Sequence, residues 1–544
     1  MIEIAEDLKV YFPMELPPRE QQLTALEFCK TNINNGKKYM LLNMPTGSGK
    51  SYFVVMFANW YKNFINKNAK FDILTNSKLL QDQYIRDFPF ITNLKGRKNY
   101  WCNHHKTDCG EGKELNKILK RICFDCPYDI SKMKWMESQL SITNFALFIS
   151  LSLFVDSIER KNSNVLIVDE AHDFESVFCD YISTKLNFRV LKKYGFNQKM
   201  IKIYERRFRQ IKTPVDFIEF IKDEFVVDIQ RMYDELVEKN RVESDKSVKN
   251  ILNKYIVYCS SQLENFDSLI KGYEENPKNW ALDITHSRNK VETYSGIELL
   301  LQPIWGYPYL KKIIWEKYDH VIFMSATILN KEMYSYMNGI EPELTTYYEL
   351  NSSFDLKKRP LFYIKVGKMT YNLKQTTFKN QVEIIKKILR KYKNDKGIIH
   401  TVNYEICEWV KEQIPDKRLI FHNSDDREDK YDEFISSPEP RIMVSPSMMS
   451  GIDLKNDLAR FSIILKVPYP NISSNKIKSR QESNSDWYDW KTIADIVQCY
   501  GRTVRSEDDF SDTFILDESF SNILKYKSKY LPKYFTDSIK MIKS

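Results

Sequence analysis

A glycine-rich loop and a pair of acidic residues carry the clearest chemistry in this sequence. The loop follows an apolar run and reads Pro45-Thr46-Gly47-Ser48-Gly49-Lys50-Ser51. The acidic pair begins Asp169-Glu170-Ala171-His172, which follows the apolar run at residues 165–168. Loops of this kind cradle phosphates, and such carboxylates hold magnesium and orient water. The two motifs, in this order, predict a protein that hydrolyses nucleoside triphosphates.

The residues of the loop have separate roles in this prediction. Gly47 and Gly49 permit backbone angles that direct N–H groups at phosphate oxygens. Lys50 would place its charge on the β- and γ-phosphates, and Ser51 would offer its hydroxyl to magnesium at the start of a helix. The strict pattern has glycine where this chain has Met44, so the match to the general motif is loose at that position.

Acidic and basic residues complete the expected nucleotide site. Asp169 would bind the magnesium, and Glu170 would polarise the attacking water, because adjacent carboxylates after a buried strand are costly without a cation or water. Arg502 and Arg505 follow a predicted helix that carries Gln498. Since the planar guanidinium suits a γ-phosphate, we expect arginine fingers if a second α/β block faces the first across the nucleotide.

Four of the nine cysteines are clustered, at Cys102, Cys109, Cys123 and Cys126. In an intracellular chain such a cluster favours a metal over disulfides, and the five scattered cysteines are ordinary thiols. Four thiolates suit either tetrahedral zinc or a 4Fe–4S cluster, and His104 and His105 could replace cysteines as zinc ligands. The spacing alone slightly favours zinc.

Length and composition limit the class of protein. A chain of 544 residues is too long for one core, and about three or four folding units are expected. No apolar stretch is long enough for a membrane span, and the acidic, mixed N-terminus does not resemble a signal peptide. We therefore expect a cytoplasmic protein without a membrane partner. The compact size and the bias towards Lys, Asn and Ile would suit a prokaryotic or virus-encoded chain. The net charge of +9 suits a polyanionic partner.

Alternating strand and helix signals predict an α/β fold with parallel sheets. The predicted strands are residues 39–43, 71–75, 320–324, 397–400, 441–444, 461–465 and 512–516. The cysteine segment, residues 96–130, has little to make a core of its own, so we expect a metal centre to hold it together. The insert, residues 174–304, has apolar residues at helical spacing, and Thr213-Pro214 is typical of a helix start.

The motifs resemble those of the XPD/DinG family of superfamily 2 helicases over nearly the whole chain. The loop from Met44 to Ser51 looks like the family's phosphate loop, where Met-Pro is common. Arg19-Glu20-Gln21-Gln22 is similar to the motif that contacts adenine, with Arg19 and Gln22 as the expected contacts. The segment 445–454, with Gly451 and Asp453, and the segment 498–505 resemble the nucleotide-facing motifs of the second motor domain.

Other motifs imply contacts with a nucleic-acid strand. Those similar to the family's strand-contacting and cluster-flanking motifs are Thr75-Asn76-Ser77-Lys78, the segment 97–102 and Ser141-Ile142-Thr143-Asn144. The residues expected to contact the strand are Thr75, Asn76, Arg97, Tyr100, Asn144, Thr401 and Ser445. Tyr100 and Trp101 could stack on bases or form a wedge, and packing around the cluster is an equal alternative. The motif Ser325-Ala326-Thr327, with His172, would link hydrolysis to movement.

The resemblance implies two RecA-like parallel-sheet motor domains, with an iron–sulfur insert and a mainly helical arch insert in the first. The expected boundaries are 1–95, 131–173 and 305–335 for the first motor domain, 96–130 for the cluster, 174–304 for the arch and 336–544 for the second motor domain. It also implies ATP and Mg²⁺ as cofactors, and it favours a 4Fe–4S cluster over zinc on the four clustered cysteines.

The implied activity is an ATP-driven 5′-to-3′ helicase that moves along single-stranded and forked DNA as a monomer. A protein partner could bind through the arch. Three alternatives stay open: an ATPase that remodels nucleoprotein complexes without processive unwinding, a strand-binding module switched by ATP, and a helicase acting on RNA or RNA–DNA hybrids. A nuclease is disfavoured, because no acidic cluster lies beyond the nucleotide site.

Overall fold

The computed structural model describes residues 9, 11–13, 17–118, 121–154, 161–287, 296–352, 354–423, 426–447, 454, 456–502, 504 and 509–542. Three residues of the expected nucleotide site, Gly451, Asp453 and Arg505, lie outside this set. Within it the chain forms two large sheets and two smaller ones. In the described helices, no segment combines the length and the apolar character that crossing a membrane would require.

The strands are numbered along the chain. They are β1 Tyr39–Asn43, β2 Phe71–Thr75, β3 Thr92–Asn93, β4 Trp101–Cys102, β5 Thr107–Asp108, β6 Leu140–Asn144, β7 Val165–Asp169, β8 Thr184–Asn187, β9 Trp280–Ser287, β10 Gly296–Pro303, β11 His320–Ser325, β12 Thr345–Glu349, β13 Leu361–Ile364, β14 Gly397–His400, β15 Leu419–Phe421, β16 Ile442–Ser445, β17 Phe461–Ile464, β18 Asp512–Ile515 and β19 Ile539–Ile542. Each predicted strand is present, with ends displaced by one residue at most.

The helices are numbered in the same way. They are α1 Glu20–Asn34, α2 Lys50–Phe64, α3 Lys78–Asp87, α4 Cys109–Ile118, α5 Pro127–Glu137, α6 Phe145–Phe154, α7 Phe174–Ile182, α8 Phe188–Lys193, α9 Gln198–Phe208, α10 Pro214–Phe220, α11 Val226–Val242, α12 Lys246–Glu275, α13 Tyr307–Ile313, α14 Lys331–Asn338, α15 Lys374–Lys391, α16 Tyr404–Gln413, α17 Arg427–Ser436, α18 Asn475–Ser483, α19 Ser485–Tyr500, α20 Phe520–Tyr526 and α21 Lys533–Asp537.

The first sheet domain is built on seven parallel strands in the order β12-β1-β11-β7-β2-β6-β3. Strands β1 and β7, which precede the glycine loop and the acidic pair, are buried along their whole length. Strand β11 lies between them and pairs with both. Because parallel strands end at the same edge, the two motifs and Ser325 emerge side by side.

The second sheet domain also has seven parallel strands, in the order β15-β16-β14-β17-β18-β13-β19. Helix α19 packs on this sheet and carries the predicted arginine-finger segment at its C-terminal end. The expectation of an α/β protein with two RecA-like parallel sheets is therefore confirmed.

The insert is mainly helical, as expected, and it also contains the antiparallel sheet β8-β10-β9. Thr213 caps α10 in a capping box, with Pro214 in the first turn, so the predicted helix start is confirmed. The apolar stripe runs from α10 through a π-helix at Ile221–Phe225 into α11. Its buried side chains join those of α12 and the first sheet in one core.

A buried contact joins the second sheet domain to the insert side of the first. Arg480 in α18 donates to Glu175 Oε1 in α7 at 2.6 Å, and the two side chains are only 5% and 2% exposed. The guanidinium also lies over the rings of Trp305 and Trp487, at 4.6 and 5.0 Å from their centres. This ion pair and its aromatic neighbours fix one side of the domain interface.

A second contact lies nearby, at the sheet of the insert. Asp283 in β9 accepts hydrogen bonds from Ser474 Oγ at 2.7 Å and from the backbone N–H of Asn475 at 2.5 Å. The Asn475 side chain donates in turn to the carbonyl of Leu282 at 2.7 Å. The chain enters and leaves the insert from the first sheet domain, yet the antiparallel sheet of the insert is hydrogen-bonded to the second sheet domain.

Candidate functional site

The glycine loop has the backbone shape that phosphate binding requires. It leaves the buried strand β1 and ends where α2 begins at Lys50. Gly47 and Gly49 have φ of +81° and +75°, in the left-handed region that glycine adopts without strain. Met44, the departure from the general motif, is fully buried in the core of the first domain. The loop thus keeps its two essential glycines, and Met44 serves packing.

The upstream motif lies directly against this loop. Gln22 donates through Nε2 to the carbonyl of Gly49 at 3.0 Å, and its Oε1 accepts from the backbone N–H of Arg19 at 2.8 Å. The guanidinium of Arg19 donates to the carbonyl of Gly47. These contacts place both predicted base-contacting residues beside the two glycines.

Lys50 and the acidic pair meet in front of the loop. Lys50 Nζ is 2.8 Å from Glu170 Oε1 and 3.9 Å from Asp169 Oδ1. Tyr84 in α3 donates from its hydroxyl to Asp169 Oδ2 at 2.9 Å. Glu170 itself has φ +55°, a left-handed conformation that is unusual for a side-chain-bearing residue. This turn directs its carboxylate away from the strand and towards Lys50.

The two carboxylates differ in their electrostatic surroundings. Burial raises the pKa of Asp169, and the opposing charge of Lys50 does not fully offset it. Burial would also raise the pKa of Glu170, but the charges of Lys50, His172 and Arg502 outweigh it and lower that pKa. Glu170 is therefore an ionised acceptor, whereas Asp169 would gain from a divalent cation held together with Ser51 at the start of α2.

A continuous set of hydrogen bonds connects the acidic motif to the second domain. His172 Nδ1 lies 2.8 Å from Ser325 Oγ, which is 3.3 Å from Thr327 Oγ1. Gln498 in α19 donates through Nε2 to Thr327 Oγ1 at 2.7 Å, and Arg502 donates to Gln498 Oε1 at 2.9 Å. The predicted coupling residues are thus brought together with one predicted arginine finger.

The end of α19 also approaches the phosphate loop. A Cβ atom placed on Gly501 would lie 3.1 Å from Thr46 Oγ1, so the two segments are in near contact. Phe354, in the segment that links the two sheets, lies over Gly47 so closely that a Cβ there would be 2.0 Å from its ring. The buried Arg359 lies 5.5 Å from the ring centres of Phe354 and Tyr500. The glycine loop is therefore approached both by the end of α19 and by the segment that links the two sheets.

The predicted strand contacts fall at matching positions of the two sheets. Thr75 and Thr401 follow the same pattern at the ends of β2 and β14: each is buried and donates from Oγ1 to the carbonyl two residues later, at 3.1 Å. Asn144 is the register partner of Thr75 on β6. Ser445, at the end of β16, is hydrogen-bonded to His422 at 2.8 Å. The half-buried Asn76 lies beside Thr75 at the same sheet edge.

Arg97 and Tyr100 have protein partners within the cysteine segment. Arg97 donates to Asp129 at 3.0 Å and lies 3.9 Å from the ring centre of Tyr128. Tyr100 packs edge-to-face on Tyr128, with ring centres 5.5 Å apart. Trp101 is 56% exposed. Of the two aromatic candidates for base stacking, Trp101 is the one available to a ligand.

The four clustered cysteines lie along one face of α4. Cys109 begins the helix, and its Sγ is 3.2 Å from that of Cys126. Cys102 packs over Gly112, where a Cβ would be 2.7 Å from its sulfur, and Asn116 donates to Cys123 Sγ at 2.7 Å. In the part of the chain that the structure describes, no three His, Cys, Asp or Glu side chains are arranged to share one metal ion. The four cysteine sulfurs near α4 are nevertheless the donor atoms that a thiolate-ligated centre uses.

Sequence patterns did not predict some residues of this site. Tyr84 and Arg359 belong to no motif, and only the fold brings them to the acidic pair and the linker. Asp173 could have been predicted from the sequence, because it is a third carboxylate directly after the acidic motif. It contacts both Asn76 and His172.

Family comparisons match both sheet domains. Residues 378–538 match the family described as helicase C-terminal domain, and residues 15–203 match the family described as type III restriction enzyme, res subunit. The probable ATP-dependent helicase MJ0942 of Methanocaldococcus jannaschii is 20% identical over 94% of this chain and 93% of its own length. The XPD/RAD3 helicase subunit of Saccharomyces cerevisiae is 20% identical over 76% of this chain and 66% of its own.

A third relative, the ATP-dependent DNA helicase CHL1 of Vanderwaltozyma polyspora, is 26% identical, but the match covers 22% of this chain and only 18% of that protein. Among solved structures, one titled XPD_Helicase has a TM-score of 0.63 at 16% identity and covers 97% of this chain and 99% of its own. The Xpd4 structure from S. tokodaii has a TM-score of 0.57 at 16% identity, with 96% and 100% covered. These structures share the fold, and together with the family matches, the relatives named as helicases and the nucleotide motifs they support an XPD/DinG-like ATP-dependent helicase of superfamily 2.

Proposed function

We propose that this protein is a DNA helicase that translocates 5′ to 3′ along single-stranded DNA. The observation that carries the proposal is the hydrogen-bonded path from His172 through Ser325 and Thr327 to Gln498 and Arg502. Such a path joins the hydrolytic residues to the second sheet domain, as a motor driven by domain movement requires. The polarity comes from the resemblance of the motifs to the XPD/DinG family.

The proposed chemistry assigns one task to each residue of the nucleotide site. Lys50 binds the β- and γ-phosphates, and Glu170, kept ionised by its neighbours, orients the attacking water. Ser51 and Asp169 would hold Mg²⁺, which would neutralise phosphate charge. Arg502 contacts the γ-phosphate from the second domain. Arg505, Gly451 and Asp453 stay predictions for the same side of the nucleotide.

The proposed strand path crosses the carboxyl edges of both sheets. Thr75, Asn76 and Asn144 provide contacts on the first domain, and Thr401 and Ser445 provide them on the second. Because side-chain and backbone polar groups hold the sugar–phosphate backbone without reading bases, this path has no sequence preference. We propose that Trp101 stacks on a base as the strand passes the cysteine segment.

We propose that the cysteine segment binds a 4Fe–4S cluster through Cys102, Cys109, Cys123 and Cys126, and that the insert is the arch. The segment lies against the insert, where Lys117 pairs with Glu264 at 3.5 Å. Anaerobically purified protein should contain iron and acid-labile sulfide in about equal amounts, close to four of each per chain. Zinc in place of iron, bound with unwinding intact, would contradict this assignment.

Strand separation on tailed duplexes tests the proposed activity. Anaerobically purified protein with ATP should separate a partial duplex with a 5′ single-stranded tail and leave the 3′-tailed duplex intact. Lys50→Ala should abolish separation while single-strand binding persists, because Lys50 lies beside the acidic pair of the nucleotide site and not on the proposed strand path. Separation of the 3′-tailed duplex alone would reverse the polarity. ATP hydrolysis stimulated by single strands without separation of either duplex would identify a remodelling ATPase instead.

A further inference from the structure

The row of proposed strand contacts on the second sheet domain leads to a lysine. His400, the last residue of β14, is in register with Ser445 on β16 and with Ile464 on β17. Ser445, Thr401 and Lys466 therefore leave three neighbouring strands at nearly the same level of the carboxyl edge. Because adjacent strands lie about 4.8 Å apart, this row spans about 10 Å. A DNA strand that crosses Ser445 and Thr401 and continues along the edge reaches Lys466 next.

Lys466 is half-buried and has no carboxylate of its own to neutralise it. In the part of the chain that the structure describes, Lys466 forms no ion pair. The neighbouring Asp517 already accepts hydrogen bonds from three backbone N–H groups, those of Met369 at 3.0 Å, Val467 at 2.9 Å and Ser519 at 2.9 Å. A phosphate oxygen would give the Lys466 ammonium the counter-ion that the protein does not provide.

Lys374, in the first turn of α15, brings a second positive charge to the same place. Burial lowers the pKa of Lys466, and the charge of Lys374 lowers it further, while the charges of Asp517 and Glu405 act against both. Lys374 Nζ is 2.5 Å from Glu405 Oε2, and the Glu405 side chain is 47% exposed. Such an exposed carboxylate can turn into solvent at little cost, so that Lys374 can bind a phosphate instead. An anion between the two lysines would relieve their repulsion.

Two exposed tyrosines flank Lys374. Tyr371 is 87% exposed, and its ring centre lies 5.0 Å from Lys374 Nζ. Tyr404 is 46% exposed and begins α16, directly before the Glu405 that pairs with Lys374. An accessible aromatic ring beside a phosphate-binding cation is the combination with which proteins hold single strands, because the ring stacks on a base while the cation holds the backbone.

We propose that Lys466, Lys374 and Tyr371 form a further single-strand subsite on the second domain. The two lysines bind one phosphate, and Tyr371 stacks on the adjoining base. Every base has a face on which a ring can stack, so the subsite takes any sequence. This inference rests on the proposed function, because it extends the proposed strand path beyond Ser445 and Thr401.

Tyr371→Ala tests the stacking contact. Fluorescence anisotropy should show about a tenfold loss of affinity for a thymidine oligonucleotide. For a strand of the same length that is abasic at every position, the variant and the wild type should bind equally, because no base is left to stack. Tyr371→Phe keeps the ring and should bind the thymidine strand as the wild type does. A merely structural effect would weaken binding of both strands by the same factor.

Lys466→Met tests the phosphate contact through salt dependence. Each phosphate that is neutralised on a single strand contributes about 0.7 to the slope of log affinity against log salt concentration. The variant should therefore lower the magnitude of this slope by about 0.7, with the thymidine strand and with the abasic strand alike. A slope equal to that of the wild type would overturn the phosphate contact.

The matched controls are an exposed tyrosine and its lysine elsewhere on the second domain. Tyr526 is 63% exposed, and its ring centre lies 4.9 Å from Lys525 Nζ. The next residue, Lys527, pairs with Asp486 at the start of α19, whereas the other end of that helix lies at the nucleotide site. Tyr526→Ala and Lys525→Met should leave both the affinity and the salt slope unchanged.

The outcomes separate this inference from the proposed function. A wild-type protein that binds no single-stranded DNA would overturn both. A wild type that binds and unwinds, with unchanged binding in Tyr371→Ala and Lys466→Met, would overturn the subsite alone. An equal loss for the thymidine and abasic strands in Tyr371→Ala would overturn the stacking contact. A loss that depends on the bases in Tyr371→Ala, together with a reduced slope in Lys466→Met, supports the subsite.

Discussion

Replacing Arg480 with methionine should weaken the contact between the two sheet domains by about 3 kcal/mol. The guanidinium and Glu175 are 2.6 Å apart and almost completely buried. At an effective dielectric constant of about 20, their attraction is about 6 kcal/mol, and the cost of removing both ions from water offsets part of it. Methionine fills the space between Trp305 and Trp487, but Glu175 then keeps only weaker partners, including the backbone N–H of Gly306 at 2.8 Å.

A double-mutant cycle measures this contribution directly. Arg480→Met, Glu175→Gln and the double variant would be compared by urea denaturation followed through tryptophan fluorescence, because Trp305 and Trp487 flank the guanidinium. The double variant should be more stable than the sum of the single effects predicts, by about 2 kcal/mol, since it leaves no buried unpaired charge.

The matched control is an exposed ion pair of nearly the same length. Lys222 and Glu274 are 2.7 Å apart, with side chains 44% and 54% exposed. Lys222→Met should leave the free energy of unfolding nearly unchanged, because water screens the charges of an exposed pair. Additivity of the Arg480 and Glu175 effects within about 0.5 kcal/mol would refute the reasoning, because it would show that the two charges do not stabilise each other.

Further perturbations test the chemistry and the electrostatics. Glu170→Gln should lower ATP hydrolysis by about a hundredfold or more while nucleotide binding persists, because the amide cannot accept a proton from water; unchanged single-turnover hydrolysis would exclude Glu170 as the water-orienting residue. Cys102→Ser should lower iron content and unwinding together, and metal-free protein with full unwinding would contradict the structural role of the cluster. His400 is buried, and burial and Arg502 lower its pKa from 6.5 to about 4. His400 therefore takes up a proton more readily in the unfolded chain than in the folded one. Its contribution to the free energy of unfolding is fully present above pH 6.5, and about 3 kcal/mol is lost as the pH drops to 4. His400→Phe should remove this part of the acid sensitivity, and an unchanged slope of stability against pH would assign it to other groups.

Local patterns were sufficient to predict the central strands of the two parallel sheets and the phosphate loop, whereas edge strands such as β12 and β19 and the antiparallel sheet of the insert were not predicted. The strands at the centres of both sheets, such as β1, β2, β14 and β17, are buried apolar runs. The loop geometry depends on Gly47 and Gly49, whose backbone conformation follows from their residue type. The capping box at Thr213 is also local, since all its hydrogen bonds fall within one turn. Where structure depends on neighbours in the chain, the sequence carries the information.

Contacts between distant segments were not predictable in this way. Arg480 and Glu175 are 305 positions apart, and nothing in either segment indicates the other. Arg97 has the residue type and the position of a strand contact, yet its hydrogen bond to Asp129 and its stacking on Tyr128 are seen only in the fold. The contact between His172 and Gln498 likewise forms only because residues 326 positions apart meet in the fold.

The attachment of the insert sheet to α18 has a mechanical consequence. Strands β9 and β10 continue from the chain of the first domain, while Asp283 is bound to Ser474 and Asn475 of the second. Any rotation of the second domain against the first must break these hydrogen bonds or carry the insert with it. In the second case the motion would reach α12 of the insert, where Glu264 meets Lys117 of the cysteine segment. Rotation between the two sheet domains would then move the insert against the cysteine segment at each turnover.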